Sequence, residues 1–324
     1  MTVAAPTIDD VRAAQRAIEG LIVHTPLIEV PDAAESFGRR VLLKAETLQR
    51  TGSFKYRGAT AFLARLGPEG RSRGVVAYSS GNHGQAVAAA AAHFGVPATI
   101  VMPSDAPEVK VSRTRARGAA IVMYDRAREE REAIAAGIAA NRGVAIVPPY
   151  DHPWTIAGQG TAGLEIAADA NAAGVTDPVV LVPAGGGGLT AGIALALAAD
   201  LPAAEVWTVE PELFDDHRRS FAAGERMGIE PGGRSICDAL LAPTPGAVPF
   251  EVNRRLVRGS AAVSDDQVRA AIRFAVQELH LVVEPGGAVG LAALLAGLVP
   301  GTRPVIVVLS GANVDRSMLV ECLG

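Results

Sequence analysis

Short apolar runs alternate along the chain with longer stretches in which apolar residues recur at helical spacing, the pattern of repeated βα units and a largely parallel sheet. The runs Val41–Ala45, Val75–Tyr78, Ala98–Met102, Ala120–Tyr124, Ala145–Val147, Val179–Val182, Val206–Val209 and Val305–Leu309 predict strands. Between them, Gln85–Phe94, Ala127–Ala140, Ile156–Ala172, Thr190–Ala199 and Asp265–Leu279 predict helices. The last of these has Ser264 as N-cap, with Asp265 and Asp266 placed well in the first turn. Turn-rich segments at Gly67–Gly74 and Pro148–Pro153 read as crossings between two lobes. We therefore expect a small domain over 75–148 inserted in a large one built from 1–74 and 149–324. Two lobes imply a cleft, and open α/β sheets bind ligands beyond the carboxyl ends of their strands.

Composition narrows the partners. Of 324 residues, 49% are hydrophobic but only 4% aromatic, which favours close-packed helices on a sheet over an aromatic-rich sandwich. The formal net charge of −4 leaves no basic surplus for nucleic acid. Arg113, Arg115 and Arg117 read as a solvated helix face. Two cysteines, Cys237 and Cys322, form neither a disulfide framework nor a metal-ligand spacing, and fit a reducing cytoplasm. The opening MTVAAPTIDD is acidic where a signal peptide is basic, and no run approaches the ~18 apolar residues that span a bilayer. The expectation is a soluble cytoplasmic protein with a small-molecule substrate.

Four segments carry candidate chemistry. Pro183-Ala-Gly-Gly-Gly-Gly-Leu-Thr190 follows a strand and precedes a helix, so converging N–H groups and the helix N-terminus suit a phosphate. It lacks the Gly-Lys-Ser/Thr ending of a Walker A loop. It does match Gly186-x-Gly188-x-x-Ala191 of a dinucleotide fingerprint, with Glu210 ending the next strand. A plain tight turn is the bland alternative. In Thr51-Gly-Ser-Phe-Lys55-Tyr-Arg-Gly-Ala59, a lysine among small residues precedes an apolar helix; desolvated, it can form a Schiff base with an aldehyde cofactor, although a lone lysine is most often a surface residue. Ser79-Ser-Gly-Asn-His-Gly-Gln85 also links a strand to a helix. Its N–H groups and the Ser79, Ser80 and Asn82 side chains suit a carboxylate, whereas simple helix capping is the alternative and His83 reads equally well as structural. Leu309-Ser310-Gly-Ala-Asn313 places a hydroxyl at a strand's carboxyl end.

Together, in this order, the segments resemble the threonine dehydratase and serine racemase group, the fold type II (β-family) pyridoxal-phosphate enzymes. The similarity runs from His24-Thr-Pro26 to Asn313-Val-Asp315 and includes Ile156-Ala-Gly-Gln-Gly-Thr161 and Glu284-Pro285. The resemblance implies a two-lobed α/β fold with mostly parallel twisted sheets flanked by helices, and a homodimer. It implies that Lys55 binds pyridoxal 5'-phosphate covalently and later takes the Cα proton. Phe54 would pack on the ring and Asn82 would bond its hydroxyl. Gly185, Gly186, Gly187 and Gly188 would cradle the phosphate, and Ser310 would face the pyridine nitrogen. Ser79, Asn82 and His83 would seat the substrate carboxylate.

Finer features bear on the reaction. Ser80 stands where simple threonine dehydratases tend to carry Ala, and the racemase and hydroxyaspartate dehydratase branches tend to carry Ser on the ring face opposite the lysine. Glu210-Pro-Glu-Leu-Phe-Asp-Asp216 resembles the racemase cation loop. There Glu210, Asp216 and the Phe214 carbonyl would bind Mg²⁺ or Ca²⁺; a solvated acidic loop is the alternative. The family's Asp-Gly pair is Asp238-Ala239 here, followed by Leu240, Leu241 and Ala242, an apolar wall that leaves the substrate side chain open. Ending at Gly324, the chain is expected to lack a regulatory domain and to serve catabolism. The expected activity is an ammonia-lyase that turns a 3-hydroxy-amino acid of the threonine, serine or hydroxyaspartate class into a 2-oxo acid and ammonia. A serine or aspartate-type racemase is the alternative, and a NAD-binding dehydrogenase or nucleotide sensor the remote one.

Overall fold

The computed structural model describes residues 4–106 and 108–324. Residues 1–3, part of the segment read for targeting, lie outside the described residues.

Ten strands are present among the described residues: β1 (Leu27–Glu29), β2 (Val41–Ala45), β3 (Val75–Tyr78), β4 (Ala98–Pro103), β5 (Ala120–Tyr124), β6 (Ala145–Ile146), β7 (Val179–Pro183), β8 (Glu205–Pro211), β9 (Val257–Val263) and β10 (Val305–Leu309). The helices are α1 (Ile8–Ala17), α2 (Ala33–Phe37), α3 (Lys55–Arg65), α4 (Pro68–Arg73), α5 (Asn82–Phe94), α6 (Glu108–Ala116), α7 (Arg131–Arg142), α8 (Pro153–Ala172), α9 (Gly188–Asp200), α10 (Asp216–Ala223), α11 (Ala247–Leu256), α12 (Asp265–Gln277), α13 (Pro285–Leu295) and α14 (Arg316–Leu323).

The strands form two sheets. One has the order β1-β2-β10-β7-β8-β9 and is parallel except at its β1 edge; the other, β5-β4-β3-β6, is parallel throughout. Strands such as β7 and β10 are buried at every position, as expected where helices cover both faces. The eight runs read as strands are strands. Gly67–Gly74, read as turns, instead holds α4, a short helix with Pro68 in its first turn. Ser264 caps α12 as expected, its hydroxyl accepting from the Gln267 N–H in a capping box.

All four strands of the smaller sheet fall between Val75 and Ile146. Its core nevertheless includes Tyr56, Ala59, Phe62 and Leu63 of α3, which precede that stretch. The opposite side of α3 lies on α8 at backbone distance: a Cβ on Gly158 would stand 2.8 Å from the Arg57 carbonyl oxygen. The paired helices α8 and α9 approach in the same way, Gly160 against Gly192.

Beneath α3 lies a buried ionic cluster. The Arg57 guanidinium donates to Glu46 (2.7 and 2.8 Å) and to Glu165 (2.7 Å to each oxygen), while Lys44 Nζ donates to Glu165 (2.8 Å) and to the Thr25 carbonyl (2.6 Å). Lys44, Glu46 and Arg57 are wholly buried. Burial opposes the Glu165 charge, but the Arg57 hydrogen bonds and the Arg57 and Lys44 charges outweigh it and hold the carboxyl below its usual range.

Candidate active site

The carboxyl ends of β2, β3, β7 and β10 lead into the four segments singled out above. Lys55 opens α3, and its segment is fastened to the end of β10. Phe54 N donates to the Ser310 carbonyl (3.1 Å), Ala312 N to the Gly52 carbonyl (2.8 Å), and Asn313 Nδ2 to the Thr51 carbonyl (2.8 Å). Thr51 and Gly52 both take left-handed backbone, φ 64° and 74°, to make the turn before Ser53. The Lys55 ammonium donates to the Pro149 carbonyl (2.8 Å) and lies 5.0 Å from the Phe54 ring centre and 6.0 Å from that of Tyr150. Burial lowers its pKa to about 8, partly offset by the charge of Glu284. Its position at a helix N-terminus adds to the pressure against a cation.

The glycine segment turns from β7 into α9. Three successive carbonyls are bonded: Gly185 by His217 Nε2 (2.9 Å), Gly186 by Gly246 N (3.0 Å) and Gly187 by both Ala191 N (2.9 Å) and Asn253 Nδ2 (3.2 Å). The N–H groups of Gly185 through Gly188 have no acceptor among the described residues. Side chains would fill the space: a Cβ on Gly186 would stand 2.3 Å from the Tyr150 ring, and one on Gly188 would stand 2.8 Å from Gln159 Oε1. Buried oxygens without partners line the same region, namely Ser53 Oγ, Gln159 Oε1 and Thr190 Oγ1. A glycine cradle with free N–H groups, a desolvated lysine and unpaired hydroxyls fit an aldehyde cofactor carrying a phosphate.

Facing the lysine is the turn into α5. Ser79 Oγ accepts from Gly81 N (3.1 Å) and shapes the turn, and Gly84 is required because a Cβ there would stand 2.4 Å from the Ser79 carbonyl oxygen. The first N–H groups of α5, from Asn82 onward, are the unbonded ones of a helix start, suited to a carboxylate. The His83 ring is turned inward, its Nε2 donating to the Val147 carbonyl (2.8 Å). Burial, and then the Lys55 charge, push its pKa to about 3, so it is neutral. What His83 can offer an anion is its backbone N–H. Asn82 is engaged at both ends, Nδ2 donating to Glu284 (2.6 Å) and Oδ1 accepting from Asn313 Nδ2 (2.7 Å). Ser80 is half-buried in the same turn, and Ser310 is buried at the end of β10.

Glu284 stands out in the sequence only as part of a matching pair, yet it is central here. It is the N-cap of α13, and burial, then the charge of Asp238, raise its pKa to about 7 despite the Asn82 hydrogen bond. Sequence reasoning also misses Tyr150 and the bridges from Lys110 to Asp238 (3.3 Å) and Asp315 (3.5 Å). The tyrosine's one signal is its neighbourhood of prolines. Leu240 packs on the glycine turn and on Gly286, so the apolar wall expected after Asp238 does border the site, while Leu241 is exposed.

Glu210 and Asp216 are wholly buried. Glu210 accepts from His217 N (2.8 Å) and Arg218 N (3.0 Å), one bond to each oxygen, at the start of α10. Neither Asp216 oxygen has a partner. Burial and the Asp216 charge raise the Glu210 carboxyl well above its usual range; burial, with Asp215 adding to it, raises Asp216 to about 8. Phe214 lies between them in a short 3-10 turn. Among the described residues no group of three or more His, Cys, Asp or Glu side chains is placed to hold a metal. Cys237 and Cys322 are buried and unpaired, and no helix is long and apolar enough to cross a membrane.

Residues 18–311 match the model of a family described as pyridoxal-phosphate dependent enzyme. The chain is 42% identical over 311 residues to L-threo-3-hydroxyaspartate ammonia-lyase of a Pseudomonas species, covering 95% of each. It is 38% identical over 311 residues to serine racemase of Schizosaccharomyces pombe, covering 96% of this chain and 95% of that one. Among solved structures it is similar to a threonine deaminase from T.th., with a TM-score of 0.89, 41% identity and coverage of 96% of this chain and 99% of that one.

Proposed function

The chain belongs to the family of pyridoxal-phosphate dependent enzymes, and on that premise we propose that it is an ammonia-lyase converting a 3-hydroxy-amino acid of the threonine, serine or hydroxyaspartate class to a 2-oxo acid and ammonia. The observation that carries this reading is the placement of one desolvated amine, Lys55, between a glycine turn with free N–H groups and the N-terminus of α5.

When bound, the cofactor supplies an electron-accepting ring joined to the substrate nitrogen. The rest falls to the chain's own residues. Gly185 to Gly188 would hold the phosphate by their N–H groups, and the start of α5 would seat the substrate carboxylate. With its pKa near 8, Lys55 Nζ has an appreciable free-amine fraction near neutral pH, as a group that takes a Cα proton requires. Phe54 and Tyr150 flank that amine. Ser310, buried at the end of β10, would offer the ring nitrogen a hydroxyl and not a carboxylate, which would not hold a proton there and would favour reactions with a β leaving group. A panel of serine, threonine and 3-hydroxyaspartate enantiomers, assayed for oxo acid, tests the reading; no oxo acid from any of them would refute it.

A racemase is the second reading. It is favoured by Ser80, a free hydroxyl in the α5 turn, as a candidate second proton carrier, and by the likeness to a serine racemase. D-isomer formation in the same panel decides it.

We also read Glu210, Asp216 and the Phe214 carbonyl as a divalent cation site for Mg²⁺ or Ca²⁺. The buried, unpartnered Asp216 oxygens support it, since a cation would supply the missing partner. The two unpaired cysteines fit a reducing, cytoplasmic setting, and a homodimer is the assembly that the family resemblance implies.

A further inference from the structure

We propose that His217 and Asn253 are positioning residues that aim the glycine turn at the phosphate, an inference that rests on the turn being the phosphate cradle. Each peptide unit presents its N–H on one side and its C=O on the other. A turn can converge its N–H groups on an anion only if its carbonyls face outward and find donors there. Here three successive carbonyls find donors. The donor to Gly186 is a backbone N–H, which any residue but proline would supply. The donor to Gly185 is a side chain of α10, and Gly187, whose carbonyl also takes the Ala191 N–H of α9 (2.9 Å), receives a second donor from a side chain of α11; only particular residues can supply these two.

A packing role alone does not account for them. Both side chains are wholly buried, and each leaves one polar atom without a partner: His217 Nδ1 and Asn253 Oδ1. A carbonyl oxygen accepts only, so His217 Nε2 carries the proton and Nδ1 is a bare, desolvated lone pair. Apolar side chains of similar volume would fill the same space without that penalty. What His217 and Asn253 gain in exchange is the grip on the turn. They grip it closely: Gly187 takes φ 87°, and a Cβ there would stand 2.6 Å from His217 Nε2 and 2.9 Å from Asn253 Nδ2. The helices that carry the two donors are also in contact through aromatic rings. The His217 ring lies 5.8 Å from that of Phe221, which stacks at 6.2 Å on Phe250 of α11.

The test uses holoenzyme carrying His217→Phe or Asn253→Leu, each of which keeps the branching at the site, adds some volume and removes the donor. On dilution into cofactor-free buffer, cofactor loss should accelerate about ten-fold, the worth of one lost hydrogen bond to the cradle. The phosphorus NMR signal of the bound phosphate should shift, a change that general loosening elsewhere would not produce. His217→Gln, which retains an N–H near the Nε2 position, should hold the cofactor within about three-fold of wild type. Loss within about two-fold of wild type with an unmoved phosphorus signal, in whichever donor-free variant folds, would overturn the proposal. So would a Gln variant as leaky as the Phe variant. Gly186→Val in the same assay separates the two levels of inference. If it releases cofactor quickly while the donor-free variants do not, the positioning role alone fails; if it too is silent, the cradle reading fails with it.

Discussion

Replacing Arg57 by Met tests how the helix bearing Lys55 is held. In the folded chain Arg57 makes four short hydrogen bonds to two buried carboxylates; the charges of the four buried groups Lys44, Arg57, Glu46 and Glu165 cancel, and the partly exposed Asp169 lies 3.5 Å from Lys44 at the cluster's edge. Methionine fills the space but leaves the cluster one charge negative. Glu165 retains Lys44, so the unpaired charge falls on Glu46, whose remaining side-chain partner is the Thr25 hydroxyl (2.5 Å). Breaking a buried pair from one side costs about 3–5 kcal/mol. At about 2 °C per kcal/mol for a chain of this size, the melting temperature should fall by roughly 6–10 °C. Arg57→Lys should recover little, because one ammonium cannot reproduce the two-sided fork. Arg57→Met combined with Glu46→Leu restores neutrality and should recover at least half of the loss. Calorimetric melts of the wild type and the three variants decide the matter. A fall under about 2 °C in the Met variant, or no recovery in the double variant, would refute the charge argument.

Four further outcomes are expected. Lys55→Ala should abolish turnover and covalent cofactor attachment; a borohydride-fixable cofactor on that variant would sink the assignment. Ser80→Ala should spare elimination from L-substrates while removing D-isomer formation, measured by following oxo acid and D-isomer in parallel. Chelation should lower activity or melting temperature, and Glu210→Ala with Asp216→Ala should remove the response to added Mg²⁺ or Ca²⁺. Glu284 has a folded pKa near 7 against an ordinary 4.5, so between those values the unfolded chain releases a proton that the folded chain keeps. Its contribution to stability is therefore present below pH 4.5 and is lost as pH rises to 7; Glu284→Gln should flatten that slope in melts across the window.

Strands announce themselves where every position is apolar, as in β7 and β10, because a doubly covered strand needs no alternation. β9 does not, since Val257-Arg-Gly-Ser-Ala-Ala-Val263 is an edge strand with Arg and Gly in it. α13 escapes because it is buried all round, which erases helical periodicity, and begins Pro285-Gly-Gly. In the site, Lys55, the glycine turn and the α5 turn are legible because each is a contiguous motif at a strand end. Tyr150, His217 and Asn253 are not, because each reaches the glycine turn from a separate segment of the chain. Adjacency in space leaves no spacing to read.

The double allegiance of α3 has a mechanical consequence. One side belongs to the core of the four-stranded sheet, and the other touches α8 backbone to backbone at Gly158. An 11-residue helix is about 16 Å long, so tipping it by about 5° would carry the Lys55 end through roughly 1.4 Å. A displacement of that size is enough to ruin alignment at a reacting centre. The glycine contact opposes such tipping, because the two backbones already lie close at Gly158. α3 is thereby a fixed rail between the four-stranded sheet and α8, with the lysine at its end.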